Sequence, residues 1–201
     1  RIPVDQQLAR LDLLARTDLE VVDVATHPEV RVEIIEKALQ AEKHVLSQKP
    51  FCLDLEVGER LVALAEQANR RLAVNQNGRW SPHWSFFRQA IAAGITGRVE
   101  QVHCEVDWDH TWIEGTAFEN IHHVVLFDFA VHWFDIVNVF FGSRRAKRVF
   151  ASLHPAASQT MKPPLIGQVL IDYGAASATL NFNGSTRSGG ADRTTLVGEK
   201  A

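Results

Sequence analysis

Residues 19–51 read LEVVDVATHPEVRVEIIEKALQAEKHVLSQKPF, and the change of period along them decides the fold. The β-branched run at 19–26 predicts a strand, which Thr26, His27 and Pro28 stop. Over 28–41 the period becomes helical, with Val32, Ile35, Ala38 and Leu39 on one face. HVLS (44–47) predicts a second strand, ended by a lysine fixed between Gln48 and Pro50. Residues 55–68 predict another helix, striped by Leu61, Leu64, Ala65 and Ala68, and LAVN (72–75) a third strand. Strand, helix, strand, helix, strand is the alternation of parallel βαβ units, and right-handed crossovers set such strands side by side. Upstream, Leu8, Leu11 and Leu14/Ala15 predict a short amphipathic helix over 5–16.

After Asn75 the pattern changes. SPHWSFFRQAIAAG (81–94) opens as a Ser-Pro helix start and closes at Gly94, and VEQVHCEVDW (99–108) alternates like a central strand. A loop rich in Trp, Glu, Gly and His follows, and then one strongly apolar helix over 124–141, stopped by Gly142. AKRVFASL, IGQVLIDY, SATLNFN and RTTLVG then read as strands parted by Pro and Gly. The expected architecture is therefore α/β. A parallel Rossmann-type sheet, in its later part, fills 1–78, and an α+β domain with a mostly antiparallel open sheet fills 79–201.

Composition narrows the partners. The 201 residues are 46% hydrophobic and 22% charged with net charge −3, ordinary for a soluble globular chain. That mild acidity gives no electrostatic basis for nucleic acid or an anionic membrane. No apolar run approaches the roughly 20 residues that span a bilayer. Cys52 and Cys104 make no disulfide framework, which points to a reducing cytoplasm. The chain opens without methionine, and we expect it to be a piece of a longer protein.

Two constellations carry chemistry. Open parallel sheets bind ligands beyond the carboxyl ends of their strands. Thr26-His27-Pro28, Gln48-Lys49-Pro50 and Asn75-Gln76-Asn77 all fall at such ends. Pro50 biases Lys49 toward extended backbone, where an ammonium either sits on the surface before a loop or polarises a reacting oxygen. The second constellation is LFDFAVHWFDIVNVFF, in which Asp128, His132 and Asp135 stand at i, i+4 and i+7 on one face of a helix apolar nearly all round. Buried ionisable groups need a reason. Asp128 either caps the helix or accepts from His132, or else His132 shuttles a proton beside an acidic neighbour. A metal reading of His122, His123, Asp128, His132 and Asp135 lacks any compact liganding motif, and no metal is expected. Trp108, Trp112 and Phe118 are either packed or wall a polar-ligand pocket.

VVDVATHPEVRVEIIEKALQAEKHVLSQKPF, followed by VNQNGRWSP and DFAVHWFD, resembles the Gfo/Idh/MocA family of NAD(P)-dependent oxidoreductases, from about Asp18 to Gly198. The resemblance implies a Rossmann domain, a second domain with an open sheet, and hydride transfer between NAD or NADP and a sugar, polyol or related hydroxyl compound. It implies that Lys49, Asp128 and His132 are catalytic, with His132 as acid/base. Thr26, His27, Pro28, Gln48, Lys49, Asn77, Arg79 and Trp80 would line the cofactor, and Lys49, Trp112, Asp128 and His132 the substrate. Homo-oligomers are expected, since the family's second-domain sheet often forms dimer contacts. A non-catalytic sugar-binding or regulatory protein on the same scaffold is the alternative.

Two departures stand out. The family's glycine-rich turn GxGxxG is not in this sequence, whose first glycine is Gly58, so this chain is expected to bind dinucleotide weakly and to be inactive by itself. Gln48 stands where the family has glutamate, which removes a negative charge beside Lys49.

Overall fold

The structure is a computed structural model that describes residues 10–201. The beginning of the helix expected over 5–16 lies outside the described residues; within them runs α1 (Arg10–Ala15). The chain divides into two compact units, one reaching to Gln76 and the other starting at Asn77. Each has its own hydrophobic core.

In the first unit β1 (Val21–Val24), α2 (Pro28–Gln40), β2 (His44–Gln48), α3 (Leu55–Gln67) and β3 (Leu72–Asn75) alternate as the periodicity predicts. The strands lie in the order β1-β2-β3, all parallel, with Val24 opposite Ser47 and Gln48 opposite Asn75. Pro28 opens α2, where its missing amide costs nothing. Asp54 opens α3 by accepting from the amides of Glu56 (2.8 Å) and Val57 (3.2 Å). Ile35, Ala38 and Leu39 of α2 and Leu61 of α3 bury against Val24 and Val45 of the sheet. Each fully buried branched aliphatic side chain there contributes about 1.5–3 kcal/mol.

The second unit begins with a tight 3₁₀ turn (Asn77–Trp80), then α4 (Pro82–Ala92) and β4 (Val99–Asp107). Two further 3₁₀ turns (Thr111–Ile113 and Ala117–Asn120) cross the loop before α5 (Val131–Phe141). Four strands complete it: β5 (Arg148–His154), β6 (Ile166–Asp172), β7 (Ser177–Asn183) and β8 (Ala191–Gly198). The sheet order is β5-β6-β7-β4-β8; β4 and β7 are parallel and the other pairs antiparallel. One face packs on α4 and α5 through Val102, Cys104, Leu180 and Phe182, which meet Trp84, Trp133, Ile136 and Phe140. The other face leaves Phe150 and Leu170 exposed.

The helix expected over 124–141 is not continuous. Val125–Phe129 form a π turn, in which the Ala130 amide donates to the carbonyl five residues back, Val125 (2.8 Å). Such a turn admits one extra residue within an apolar run, and single π turns inside helices occur frequently at functional sites. Among the described residues no helix is long and apolar enough to cross a membrane.

Candidate active site

Parallel pairing brings Thr26, His27 and Pro28, then Gln48, Lys49 and Pro50, then Asn75 and Gln76, to the carboxyl edge of the first sheet. Lys49 follows β2 directly and is half-buried, and its peptide bond to Pro50 is cis. The His27 ring accepts from the amide of Glu29 (3.4 Å), so it caps α2. Arg31, which the sequence reading did not single out, is buried in the first turn of α2. Its guanidinium donates to the carbonyls of Gln48 (2.9 Å), Pro50 and Thr26. The loops after β1 and β2 are thereby tied to one side chain.

In the second unit the π turn and α5 carry the polar stripe. Asp128 is buried within the π turn, and His132 is half-buried in the first turn of α5. The Asn77–Trp80 turn lies against this stripe. A Cβ on Gly78 would sit 3.2 Å from Nδ1 of His132 and 2.7 Å from the Trp84 ring, so only glycine lets the backbone approach so closely. One residue on, Arg79 makes a bidentate ion pair with Asp135, Nε and Nη2 each 2.5 Å from a carboxylate oxygen. The Arg79 guanidinium, expected at the cofactor, is thus engaged on α5. The turn is fastened further by Ser81 Oγ on the Gly78 carbonyl (2.9 Å) and Arg88 on the Arg79 carbonyl (2.8 Å). Arg88 also lies 5.0 Å over the ring of Trp80, which is 72% exposed. Asn77 is exposed.

The aromatic loop walls an open cavity of about 590 Å³, lined by Trp108, Asp109, His110 and Trp112 on one side and Thr186–Gly190 on the other. Trp112 is half exposed and stands edge-on to Phe118 (5.6 Å), while His110 stacks on Phe129 at 3.8 Å. Asp109 is held below the usual carboxylate range, first by the hydroxyl of Thr111 (2.6 Å) and then by its amide (2.9 Å). A charged carboxylate therefore borders the indoles, an arrangement suited to a ligand with both apolar faces and hydroxyls. Among the described residues no group of three or more His, Cys, Asp or Glu side chains is placed to hold a metal ion.

The donor set on the first sheet's edge suits a polar ligand. Thr26 Oγ1 and Gln76 Oε1 are buried and, among the described residues, have no hydrogen-bond partner. A phosphate cradle of glycine amides has no counterpart before Gly58. Sequence reasoning found the edge and the histidine stripe, but missed Arg31 and Gly78. Arg31 acts on backbone carbonyls, which leave no residue pattern to read, and Gly78 acts through the side chain it lacks.

Residues 5–76 match the family described as oxidoreductase family, NAD-binding Rossmann fold, and residues 84–201 match the GFO/IDH/MocA C-terminal domain. An uncharacterized oxidoreductase of Schizosaccharomyces pombe is 38% identical over 96 residues, 48% of this chain and 26% of that protein. Inositol 2-dehydrogenase of Rhizobium meliloti is 31% identical over 88 residues, 44% of this chain and 27% of that protein. The crystal structure of an inositol dehydrogenase homolog from Azotobacter vinelandii, complexed with NADH and myo-inositol, superposes with a TM-score of 0.82 at 24% identity. That likeness covers 94% of this chain and 52% of that one, so the chain spans about half the length of a protein sharing its fold.

Proposed function

The chain belongs to the Gfo/Idh/MocA oxidoreductase family, and we propose that the whole protein transfers a hydride between a nicotinamide cofactor, NAD or NADP, and a hydroxyl of a sugar, polyol or related compound. The observation that carries this reading is a lysine at the carboxyl end of a parallel strand, followed in order by the Asp128/His132 pair on a second-unit helix. The inositol dehydrogenase relative supports the substrate class.

Oxidising an alcohol removes a proton from oxygen as hydride leaves carbon. His132 takes that proton, Asp128 in the preceding turn sets its surroundings, and the Lys49 ammonium stabilises the alkoxide as it forms. The nicotinamide, when bound, supplies the hydride acceptor. Thr26, His27, Pro28, Gln48, Lys49, Asn77 and Trp80 are proposed to hold the cofactor, with Arg79 ordering the Asn77–Trp80 turn through its pair with Asp135, and Trp112 to face the substrate. The exposed Phe150–Leu170 cross-strand pair on the otherwise polar outer face of the second sheet supports a homo-oligomer. The free thiols Cys52 and Cys104 support a cytoplasmic location.

The test is nicotinamide absorbance with the whole protein and a panel of inositols and sugars. His132→Ala is expected to lower kcat about 100- to 10,000-fold. Gln48 in place of glutamate favours the second reading, a non-catalytic sugar-binding protein, which predicts sugar binding without absorbance change and without loss in His132→Ala.

A further inference from the structure

We propose that Arg31 is the positioning residue for Lys49: its buried guanidinium fixes the backbone on both sides of the lysine and ties that loop to the end of β1. This deepens the reading above and rests on it for the chemistry of Lys49.

Arg31 is 3% exposed, and its acceptors are not scattered. Nη1 takes the carbonyls of Gln48 (2.9 Å) and Pro50, the residues immediately before and after Lys49. Nη2 takes the carbonyl of Thr26, which precedes the His27 cap of α2. One rigid group therefore brackets the lysine and joins its loop to the neighbouring strand end. Arginine suits the task because its planar fork presents several donors in fixed directions, whereas an ammonium offers a compact point charge. Holding three loop segments in one conformation costs backbone entropy, which these hydrogen bonds offset. The effect on rate follows from geometry, since a displacement of about 1 Å at a reacting group costs on the order of 100-fold. Arg31 spends these donors on backbone and acts through Lys49; the group that touches substrate remains the lysine.

A merely structural arginine would stabilise the fold and leave the lysine indifferent, so the experiment reads the lysine itself. In the whole protein with isotope-labelled lysine, the Lys49 Nζ resonance is assigned by its loss in Lys49→Arg and then followed in Arg31→Lys and Arg31→Gln. The Lys49 resonance is expected to shift or broaden in both variants. Arg31→Lys is expected to lose kcat by about 10- to 100-fold with KM for the nicotinamide cofactor changed less than about threefold. If Arg31→Gln does not fold, Arg31→Lys decides alone. A folded Arg31→Lys with the wild-type Lys49 resonance and wild-type kcat, whatever its Tm, overturns the proposal. The resonance needs no turnover. If it responds while the wild-type protein reduces no nicotinamide, the bracket stands and the dehydrogenase reading falls. If the wild-type protein turns over and neither signal responds, the reading stands and the bracket falls.

Discussion

Gly78 is where a single methyl group should be felt most. Its Cβ would press on Trp84 at 2.7 Å and on the His132 ring at 3.2 Å, and neither an indole buried in the core nor the backbone of the 3₁₀ turn yields easily. Gly78→Ala is expected to cost about 1–3 kcal/mol through overpacking. It should also displace the imidazole, lowering kcat of the whole protein more than Tm alone would suggest; an unchanged pH–rate profile and kcat would count against the acid/base role proposed for His132. Cys104 gives a second prediction. Burial pushes its thiol up to about 12, so the folded state keeps the proton that the unfolded thiol, near 9, gives up. Its stabilising share is full below pH 9 and is lost as pH rises toward 12. Thermal melts across that range should fall more steeply for the wild type than for Cys104→Ala, and equal slopes would contradict this. At this scale the sequence was partly legible. Lys49 showed itself by its proline and strand end, and His132 by its spacing from two aspartates. Arg31 and Gly78 did not, because one works through carbonyls and the other through the absence of a side chain.

The elements were legible wherever the period was clean. β1, α2, β2, α3 and β3 lie where alternation and helical stripes put them, each bounded by Pro, Asp or Asn. The division of the long apolar helix was not legible, since a π turn spends one extra residue inside a run in which nearly every position is apolar. That turn leaves Asp128 in one element and His132 and Asp135 in the next, with Arg79 fastening the second to the Asn77–Trp80 turn. Helix α5 itself is held by its buried face: Ile136, Val137 and Phe140 are at most 3% exposed. Ile136→Ala should therefore lower unfolding free energy by about 2–5 kcal/mol, measured by denaturant titration. A loss below about 1 kcal/mol would mean that the cavity collapses and that α5 is not tightly packed.

For the whole molecule, the strand–helix alternation of the first unit announced a parallel sheet, and the clustered strands of the second announced a mostly antiparallel one. The order β5-β6-β7-β4-β8, with its parallel β4–β7 pair, was not readable. Strand order is chosen by contacts between residues far apart in the chain, such as Cys104 with Leu180, and no local period records them. The 201-residue chain carries a polar sheet edge but no glycine cradle for a pyrophosphate. Calorimetry is expected to find NADH binding by this polypeptide weaker than low micromolar, and tight binding would show that the edge alone suffices. The central claim is that Lys49 and His132 serve one hydride transfer. The most direct measurement is the deuterium isotope effect on nicotinamide reduction by the whole protein with a carbon-deuterated polyol, in wild type, Lys49→Ala and His132→Ala. We expect slower reduction of the deuterated substrate, and kcat losses of about 100-fold or more in each variant. Wild-type turnover in either variant, or no nicotinamide reduction with any hydroxyl compound, would contradict the account.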